Sequence, residues 1–347
     1  MESINSAVNM RLQYTCIVDT PYALALYLLK MSRRVIEQTL FCVGNNLSDD
    51  ILRTLPHARR FYIDVRRSRF FRLVFRMRCW LCHLAHIRGT QIYGQDHINC
   101  AAQLICRQKY TLIEDGPGTC LINRDRPGHQ FPDTRNPFCR LAFYALGGAI
   151  YLKTMGRNPQ CINRWVTSQE DIRLFEKERV PFEVLDVRRL WEDASEEKKK
   201  MVLRVIDGRS GGLDISAISK TNETVLLTQP MIEDCGLTED ELEAVYRPFI
   251  DRYAQSGVLI KPHPRDKFDY ENRFPNCRVL RTRIPMQLLN AFGLDFKRAI
   301  TICSSSVSDM SEDVELVWLG AEIHPKIAEV YGRPTPPLKF KNVILVS

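Results

Sequence analysis

The sequence predicts an α/β protein built from two doubly wound parallel sheets. Short apolar runs alternate with helical patterns along most of the chain, and a charged, glycine-containing stretch interrupts this alternation once. The length of 347 residues corresponds to about two domains of roughly 150 residues each. Because strands separated by helices pair in parallel, helices are expected on both faces of each sheet.

The first series of predicted elements begins near residue 12. Pro21 stands where a helix can begin, because the fixed φ of proline suits the first helical turn. A loop is predicted from residue 123, followed by a helix over 140–156. The predicted strands are 12–19, 39–44, 59–65, 90–96 and 110–116, with further helices near 66–86 and 98–107.

A second series follows the charged stretch 192–206 and the glycine-containing segment 208–214. Thr238 is the predicted N-cap of a helix over 238–257, and Glu241 completes a capping box with it. The predicted strands of this series are 224–230, 258–264, 298–306 and 314–320. The predicted organisation is an N-terminal domain over 1–165, a helical linker over 166–220 and a C-terminal domain over 221–347, with a ligand-binding cleft between the domains.

The composition excludes several classes of protein. With 45% hydrophobic and 26% charged residues, the chain is neither disordered nor collagen-like. No apolar run of about 18 residues is present, and the N-terminal residues lack the pattern of a secretory signal, which predicts a cytoplasmic protein without a membrane span. The net charge of +8 favours a phosphate-bearing ligand, a nucleic acid or an anionic membrane surface.

Polar residues follow three of the predicted strands, at the edge where open α/β sheets bind ligands. The first segment contains Glu114, Asp115 and Gly116. Crowded carboxylates raise the pKa of one of them, which suits a general base, and glycine lets the backbone turn sharply. The alternative is an ordinary turn whose aspartate caps the next helix.

The second segment places His263 between two prolines, with Lys261 and Arg265 beside it. Positive charge next to an imidazole suits an anion site with an attached acid, whereas the alternative is a histidine in a structural turn. The third segment contains Ser304, Ser305 and Ser306, whose hydroxyl and N–H groups suit an anion cradle or simple helix capping.

These segments resemble the three short motifs of bacterial sialyltransferases: two acids before a glycine, a His-Pro pair and a serine pair or triplet. Here they stand as Glu114-Asp115-Gly116, His263-Pro264 and Ser304-Ser305-Ser306, in the order of the family. The segments LQYTCIVDTPYALALYL and VLLTQP also resemble glycosyltransferase family 52, which comprises lipo-oligosaccharide, O-antigen and capsule sialyltransferases.

The resemblance implies a GT-B fold, two Rossmann-like domains facing each other across a cleft. It also implies inverting transfer of sialic acid from CMP-sialic acid to a terminal sugar hydroxyl, by preference a galactose in α2,3 linkage, without a metal ion or cofactor. Glu114 is the favoured base and Asp115 the alternative, while protonated His263 assists the leaving phosphate. The donor-binding residues implied are Gly116, Lys261, Pro264, Ser304, Ser305 and Ser306.

The same resemblance leaves alternatives open. Some family members carry a base candidate after the strand that precedes the His-Pro pair, where this chain has Glu233 and Asp234. Related enzymes include glucosyltransferases that use another nucleotide sugar, and polymerising transfer of sialic acid is a further possibility. Relatives suggest a homodimer, and a lipid-linked acceptor would bring the enzyme to the inner face of the inner membrane.

Two other patterns carry weaker signals. Cys79, Cys82 and His83 match a haem-attachment spacing, but we interpret these thiols as buried side chains of a helix. The segment 66–80 interleaves arginines with aromatic residues, which is typical of a helix lying on anionic lipid or of a core helix with a basic face. A nucleic-acid-binding protein remains the non-enzyme alternative, although it leaves the three strand-end segments unexplained.

Overall fold

The structure, a computed structural model, describes residues 12–60, 81–98, 105, 108–122, 154–207, 213 and 215–346. The chain divides into two compact units, Met1–Gly212 and Leu213–Ser347. Each unit contains one parallel sheet, which confirms the α/β class predicted from the alternating pattern. The segments 66–80, 98–107 and 123–153, which include three predicted helices, lie wholly or largely outside the described residues.

The first unit has a seven-stranded sheet in the order β3-β2-β1-β4-β5-β6-β7. Its strands are β1 (Tyr14–Val18), β2 (Thr39–Val43), β3 (Ala58–Arg60), β4 (Gln91–Gly94), β5 (Tyr110–Ile113), β6 (Cys161–Val166) and β7 (Glu183–Val184). The helices are α1 (Pro21–Lys30), α2 (Arg33–Glu37), α3 (Asp49–Thr54), α4 (Thr119–Ile122), α5 (Gln169–Glu178), α6 (Val187–Glu192) and α7 (Glu196–Asp207), with a π-helical turn at His83–Ile87. The strand order reverses between β1 and β4, so the switch point of this sheet lies there.

Close packing fixes the centre of this sheet. The strands β2 and β5 are buried throughout, as expected for parallel strands covered on both faces. Helix α1 begins at Pro21 after the N-cap Thr20, as predicted, and eight of its ten residues are buried. A Cβ atom at Gly94, where φ is +155°, would lie 2.3 Å from the Ile17 carbonyl oxygen, so β1 and β4 approach too closely for any other residue there.

The second unit has a six-stranded sheet in the order β10-β9-β8-β11-β12-β13. Its strands are β8 (Thr224–Leu227), β9 (Val258–Lys261), β10 (Arg278–Val279), β11 (Arg298–Thr301), β12 (Glu315–Trp318) and β13 (Val343–Leu345). The helices are α8 (Ile215–Thr221), α9 (Met231–Cys235), α10 (Glu239–Tyr253), α11 (Tyr270–Arg273), α12 (Met286–Ala291) and α13 (Pro325–Tyr331), with 3₁₀ turns at Ala254–Ser256, Ser305–Asp309 and Ala321–Ile323. The switch point lies between β8 and β11, and the predicted capping box of Thr238 and Glu241 is confirmed.

The structure divides the chain elsewhere than the sequence predicted. Residues 166–207, assigned to a linker, contain β7 and three helices of the first unit, and the division falls at Gly212. The predicted end of the first domain at 165 is therefore wrong. The sequence predicted neither β6, in which Asn163 and Arg164 interrupt the apolar pattern, nor β7, which pairs with it but has only two residues, too few for a periodic signal.

Candidate active site

The carboxyl ends of β1, β4 and β5 place acidic and amide side chains beside the switch point of the first sheet. Asp19 and Thr20 follow β1, Gln95 follows β4, and Glu114 and Asp115 follow β5. Neighbouring parallel strands end at the same edge of a sheet, so these residues form one cluster. Gln95 joins its members, because its Oε1 accepts the Asp19 N–H at 2.6 Å and its Nε2 donates to Thr20 and Asp115.

Glu114 points into the interior and is only 1% exposed. Its Oε2 accepts the Thr167 N–H at 3.0 Å, and its Oε1 accepts the hydroxyls of Thr167 and Tyr22. Burial raises the pKa of Glu114 to about 8 even though these hydrogen bonds lower it. A protonated Glu114 that ties β5 to the end of β6 is therefore the favoured state near neutral pH.

Asp115 is the exposed member of the acidic pair, with 29% of its side chain accessible. Its Oδ1 accepts the Gln95 amide, its Oδ2 lies 3.4 Å from His97 Nε2, and its main-chain oxygen accepts the Thr20 hydroxyl at 3.2 Å. Burial alone would raise the pKa of Asp115, but the hydrogen bond and charge of His97 hold it below its ordinary value. Asp115 is thus an ionised, oriented carboxylate within reach of solvent.

The glycines of the first motif have different roles. The φ angle of Gly118 is +73°, a conformation that favours glycine, and its N–H donates to Ser168 Oγ at 2.9 Å. Gly116 has no such angle, and a Cβ atom there would lie 3.5 Å from Thr119 Oγ1, which is an ordinary contact. The backbone conformation that favours glycine is therefore found two residues after the predicted Gly116, at Gly118.

In the second unit, Lys261 ends β9 as a buried residue that is 9% exposed. No hydrogen bond or ion pair to its ammonium group is found in the part of the chain that the structure describes. Burial lowers the pKa of Lys261 to about 8, because a cation loses hydration there without gaining a partner. A buried cation of this kind is costly unless an anion binds to it.

The ring of His263 is oriented by the loop that follows β9. Its Nδ1 accepts the Arg265 N–H at 3.2 Å, so the neutral ring carries its proton on Nε2. Burial and the charges of Arg265 and Lys261 lower the pKa of His263 below its ordinary value. The predicted imidazolium is therefore disfavoured here, and the group that remains to contact an anion is a neutral Nε2–H donor.

Thr228, after β8, holds the same loop in place. Its hydroxyl accepts the His263 N–H at 3.2 Å and donates to the buried carboxylate of Asp266 at 2.5 Å. Asp266 also accepts the Tyr270 hydroxyl at 2.8 Å. The loop around His263 is thus tied to the end of β8, and Pro264 lies on its exposed side.

Asp234, the alternative base candidate, belongs to α9. Both of its oxygens accept from the Arg265 guanidinium at 2.9 Å, and Oδ2 also accepts the Tyr331 hydroxyl at 3.0 Å. The Arg265 hydrogen bonds hold the pKa of Asp234 below its ordinary value. Glu233 instead accepts the Lys267 N–H at 3.1 Å, so both acids pair with the loop that carries His263.

The serine segment follows β11, on the other side of β8 from Lys261. Ser304 is 3% exposed and its Oγ accepts the Ser306 N–H at 3.3 Å, so it caps the short 3₁₀ turn. The capping alternative therefore describes Ser304. Ser306 is half-buried, and the main chain of Ser305 lies between them.

Sequence reasoning missed Gln95 and His97 in the first unit, and Thr228 and Asp266 in the second. A signal was available for three of them, because Gln95 and Thr228 lie near the carboxyl ends of predicted strands and His97 directly follows one. Within the described residues, no group of three His, Cys, Asp or Glu side chains is arranged to hold a metal ion. The described helices include none that is both long and apolar enough to cross a membrane.

Comparisons with known proteins agree with this architecture. The model of glycosyltransferase family 52 matches residues 58–326. A Haemophilus influenzae protein described as uncharacterized is 26% identical over 329 residues, covering 92% of this chain and 98% of the relative.

Solved structures of sialyltransferases have the same fold. One from Photobacterium damsela superposes with a TM-score of 0.58 at 13% identity, covering 96% of this chain and 81% of that one. A Photobacterium 2,6-sialyltransferase, in complex with the donor product CMP and the acceptor lactose, gives a TM-score of 0.57 at 9% identity, covering 95% and 78%. The fold class is GT-B, the type named for the matching domain of the Photobacterium damselae enzyme, with a TM-score of 0.57, 12% identity and coverage of 96% and 100%.

Proposed function

Because the chain belongs to glycosyltransferase family 52, we propose that it is an inverting sialyltransferase that transfers sialic acid from CMP-sialic acid to a sugar hydroxyl. The observation that carries this proposal is the pair at the end of β9: the buried cation of Lys261, which has no partner among the residues that the structure describes, and the oriented Nε2–H donor of His263. Support for the donor comes from the fold shared with sialyltransferases, one of which binds CMP.

The reaction breaks the bond between the anomeric carbon and the CMP phosphate oxygen, and the electron pair stays on that oxygen. A new bond forms between the anomeric carbon and the acceptor oxygen, whose proton must be taken up by a base. Lys261 and the Nε2–H of His263 offset the charge that develops on the phosphate, which is where fixed charges and donors contribute most to catalysis. Ser306 is proposed as a further contact to the phosphate, and Ser304 as the cap that shapes the turn.

We propose that Asp115 is the general base that removes the proton of the acceptor hydroxyl. Its carboxylate is ionised and partly accessible, whereas Glu114 is buried and its carboxyl group accepts three hydrogen bonds within the fold. The burial of Glu114 argues against our preference from the sequence, because a base must lie within hydrogen-bond distance of the proton that it removes. Asp234 is a weaker candidate, since Arg265 occupies both of its oxygens.

Metal independence belongs to the same proposal. A monophosphate leaving group needs less countercharge than a diphosphate, and Lys261 provides a positive charge while the neutral ring of His263 adds a hydrogen bond, without Mg²⁺. A galactose-terminated glycan is the proposed acceptor, because a sialyltransferase of the same fold binds lactose. Peripheral attachment to the inner membrane through the arginine-rich segment 66–80, and a homodimer, remain predictions.

The test is transfer in vitro, read by mass spectrometry. The purified protein is incubated in EDTA with CMP-sialic acid and a panel of acceptors ending in galactose, with UDP-glucose and UDP-galactose as competing donors. We expect one sialic acid to be added to at least one galactose acceptor. Transfer from a UDP-sugar alone would instead assign the chain to the glucosyltransferase branch, and no transfer from any donor would reject the proposal.

A further inference from the structure

The Asp115 carboxylate is fixed from the two strands that flank the switch point of the first sheet. Gln95, after β4, donates to Oδ1, and His97, two residues further on, lies with its Nε2 3.4 Å from Oδ2. Thr20, after β1, donates to the main-chain oxygen of Asp115 at 3.2 Å. Gln95 and His97 thus each contact one carboxylate oxygen, and the several acceptor positions of a carboxylate leave lone pairs for a ligand.

The position of the His97 ring leaves one of its two nitrogens without a hydrogen bond to the described residues. Its Nδ1 is buried and has no hydrogen-bond partner among the described residues, which costs free energy. Three carboxylates surround the ring: Asp19 after β1, Asp96 after β4 and Asp115 after β5. Burial lowers the pKa of His97, but the hydrogen bond and charge of Asp115, and then the charges of Asp96 and Asp19, raise it above its ordinary value.

Two of these carboxylates have other partners that hold them in place. Asp96 is fully buried and accepts the Tyr110 hydroxyl at 2.7 Å and the Met155 N–H at 2.8 Å. Asp19 accepts the N–H and the side-chain amide of Asn46. Of these three carboxylates, Asp115 is the one paired with His97, and its side-chain orientation is set by His97 and Gln95 together.

We propose that His97 is a positioning residue for the transfer reaction, which donates from Nε2 to Asp115 Oδ2 and so directs the remaining lone pair of that carboxylate at the acceptor hydroxyl. The inference rests on the proposed function, in which Asp115 removes the proton of the acceptor hydroxyl. The proposed role of His97 is to orient the Asp115 carboxylate and not to make it more basic, since a cationic neighbour makes a carboxylate a weaker base. A displacement of about 1 Å in such a group costs roughly 100-fold in rate.

Two substitutions separate the hydrogen bond from the rest of the ring. His97→Gln keeps an N–H donor close to the position of Nε2, whereas His97→Leu removes it. We expect kcat to fall about 100-fold in H97L and to recover to within about tenfold of the wild-type value in H97Q, with the KM for CMP-sialic acid unchanged in both. His86→Gln and His86→Leu are the matched controls, because His86 is exposed in the same unit and plays no part in the cluster.

A second measurement needs no substrate. The titration of His97 is followed by NMR in histidine-labelled wild-type protein and in Asp115→Asn, and we expect the pKa of the imidazole to drop in the variant, because the carboxylate that most stabilises the imidazolium is lost. Wild-type kcat in H97L, equal losses in H97L and H97Q, or an unchanged titration in D115N would each overturn the inference. A wild-type protein inactive with every donor would reject the proposed function, whereas the titration would still decide whether His97 and Asp115 are paired.

Discussion

The two units have the same strand order around their switch points, yet the polar groups at their strand ends differ in how fully the fold satisfies them. In the first unit, Glu114 is buried with three hydrogen bonds to its carboxyl group. In the second unit, Lys261 is buried without a hydrogen bond or ion pair within the described residues. The first arrangement completes the fold, and the second leaves a charge that an anionic ligand would satisfy.

The largest effect on kcat is expected for a substitution of Asp115, whereas a substitution of its neighbour Glu114 should have little effect. Asp115→Asn removes the proposed proton acceptor and should lower kcat about 1000-fold, within the usual range for a general base. Glu114→Gln should retain kcat within a few-fold, because glutamine reproduces the protonated acid and its contacts. Single-turnover kinetics with CMP-sialic acid decide the matter, and an Asp234→Asn variant is measured alongside.

The reverse pattern would change the assignment. If Glu114→Gln lost activity while Asp115→Asn kept it, the acid preferred from the sequence would be the base after all. If only Asp234→Asn lost activity, the base would belong to the second unit.

The next largest effect is expected for a substitution of Lys261, which should weaken donor binding and increase stability. Lys261→Met removes the buried cation, so the KM for the donor should rise roughly 10- to 100-fold, since a charged hydrogen bond contributes about 1.5–3 kcal/mol. The free energy of unfolding at neutral pH should increase, because a charge without a partner is no longer buried. Donor titrations and urea unfolding measure the two changes, and Lys267→Met, at an exposed position, is the control. A variant that is both less stable and normal in donor binding would contradict this account.

The pH dependence of stability should also distinguish the two buried groups. The folded pKa of Glu114, about 8, lies above its ordinary value of 4.5, so its contribution to stability is complete below pH 4.5 and is lost as pH rises to about 8. The folded pKa of Lys261, about 8, lies below its ordinary value of 10.5, so its penalty is relieved as pH rises from about 8 to 10.5.

In each window, one such group changes the free energy of unfolding by at most about 1.4 kcal/mol per pH unit. Urea unfolding across these two windows should therefore show a flatter profile for Glu114→Gln in the lower window and for Lys261→Met in the upper one. Profiles parallel to that of the wild type would show that the groups are not buried as described.

The smallest expected effect concerns Arg265, which is largely exposed. Arg265→Gln keeps the N–H that contacts His263 Nδ1 but removes a positive charge, so the pKa of His263 should rise. Stability should stay close to that of the wild type, as is usual when an exposed ion pair is removed. NMR titration of His263 measures the shift, and a lowered pKa would exclude the charge of Arg265 as a cause.

The sequence predicted the elements that have long apolar or capped patterns. The strand at 39–44 and the helix after Thr238 were placed within one to four residues of their observed ends, because burial and capping leave local marks. It missed β6, in which Asn163 and Arg164 interrupt the apolar pattern, and it missed β7, β10 and β13, which have only two or three residues each. Such strands form because a neighbouring strand offers free backbone groups, and this information is not local.

By itself, the sequence determined the α/β class, the two parallel sheets and the three strand ends where polar residues gather. The tertiary structure decided which of those residues are accessible and which are charged. Glu114 and Asp115 are adjacent in the chain directly after β5, yet Glu114 is buried and Asp115 is partly accessible. Burial and the partners Thr167 and His97, which follow β6 and β4, set the pKa values of the two acids, so only the folded chain decides them.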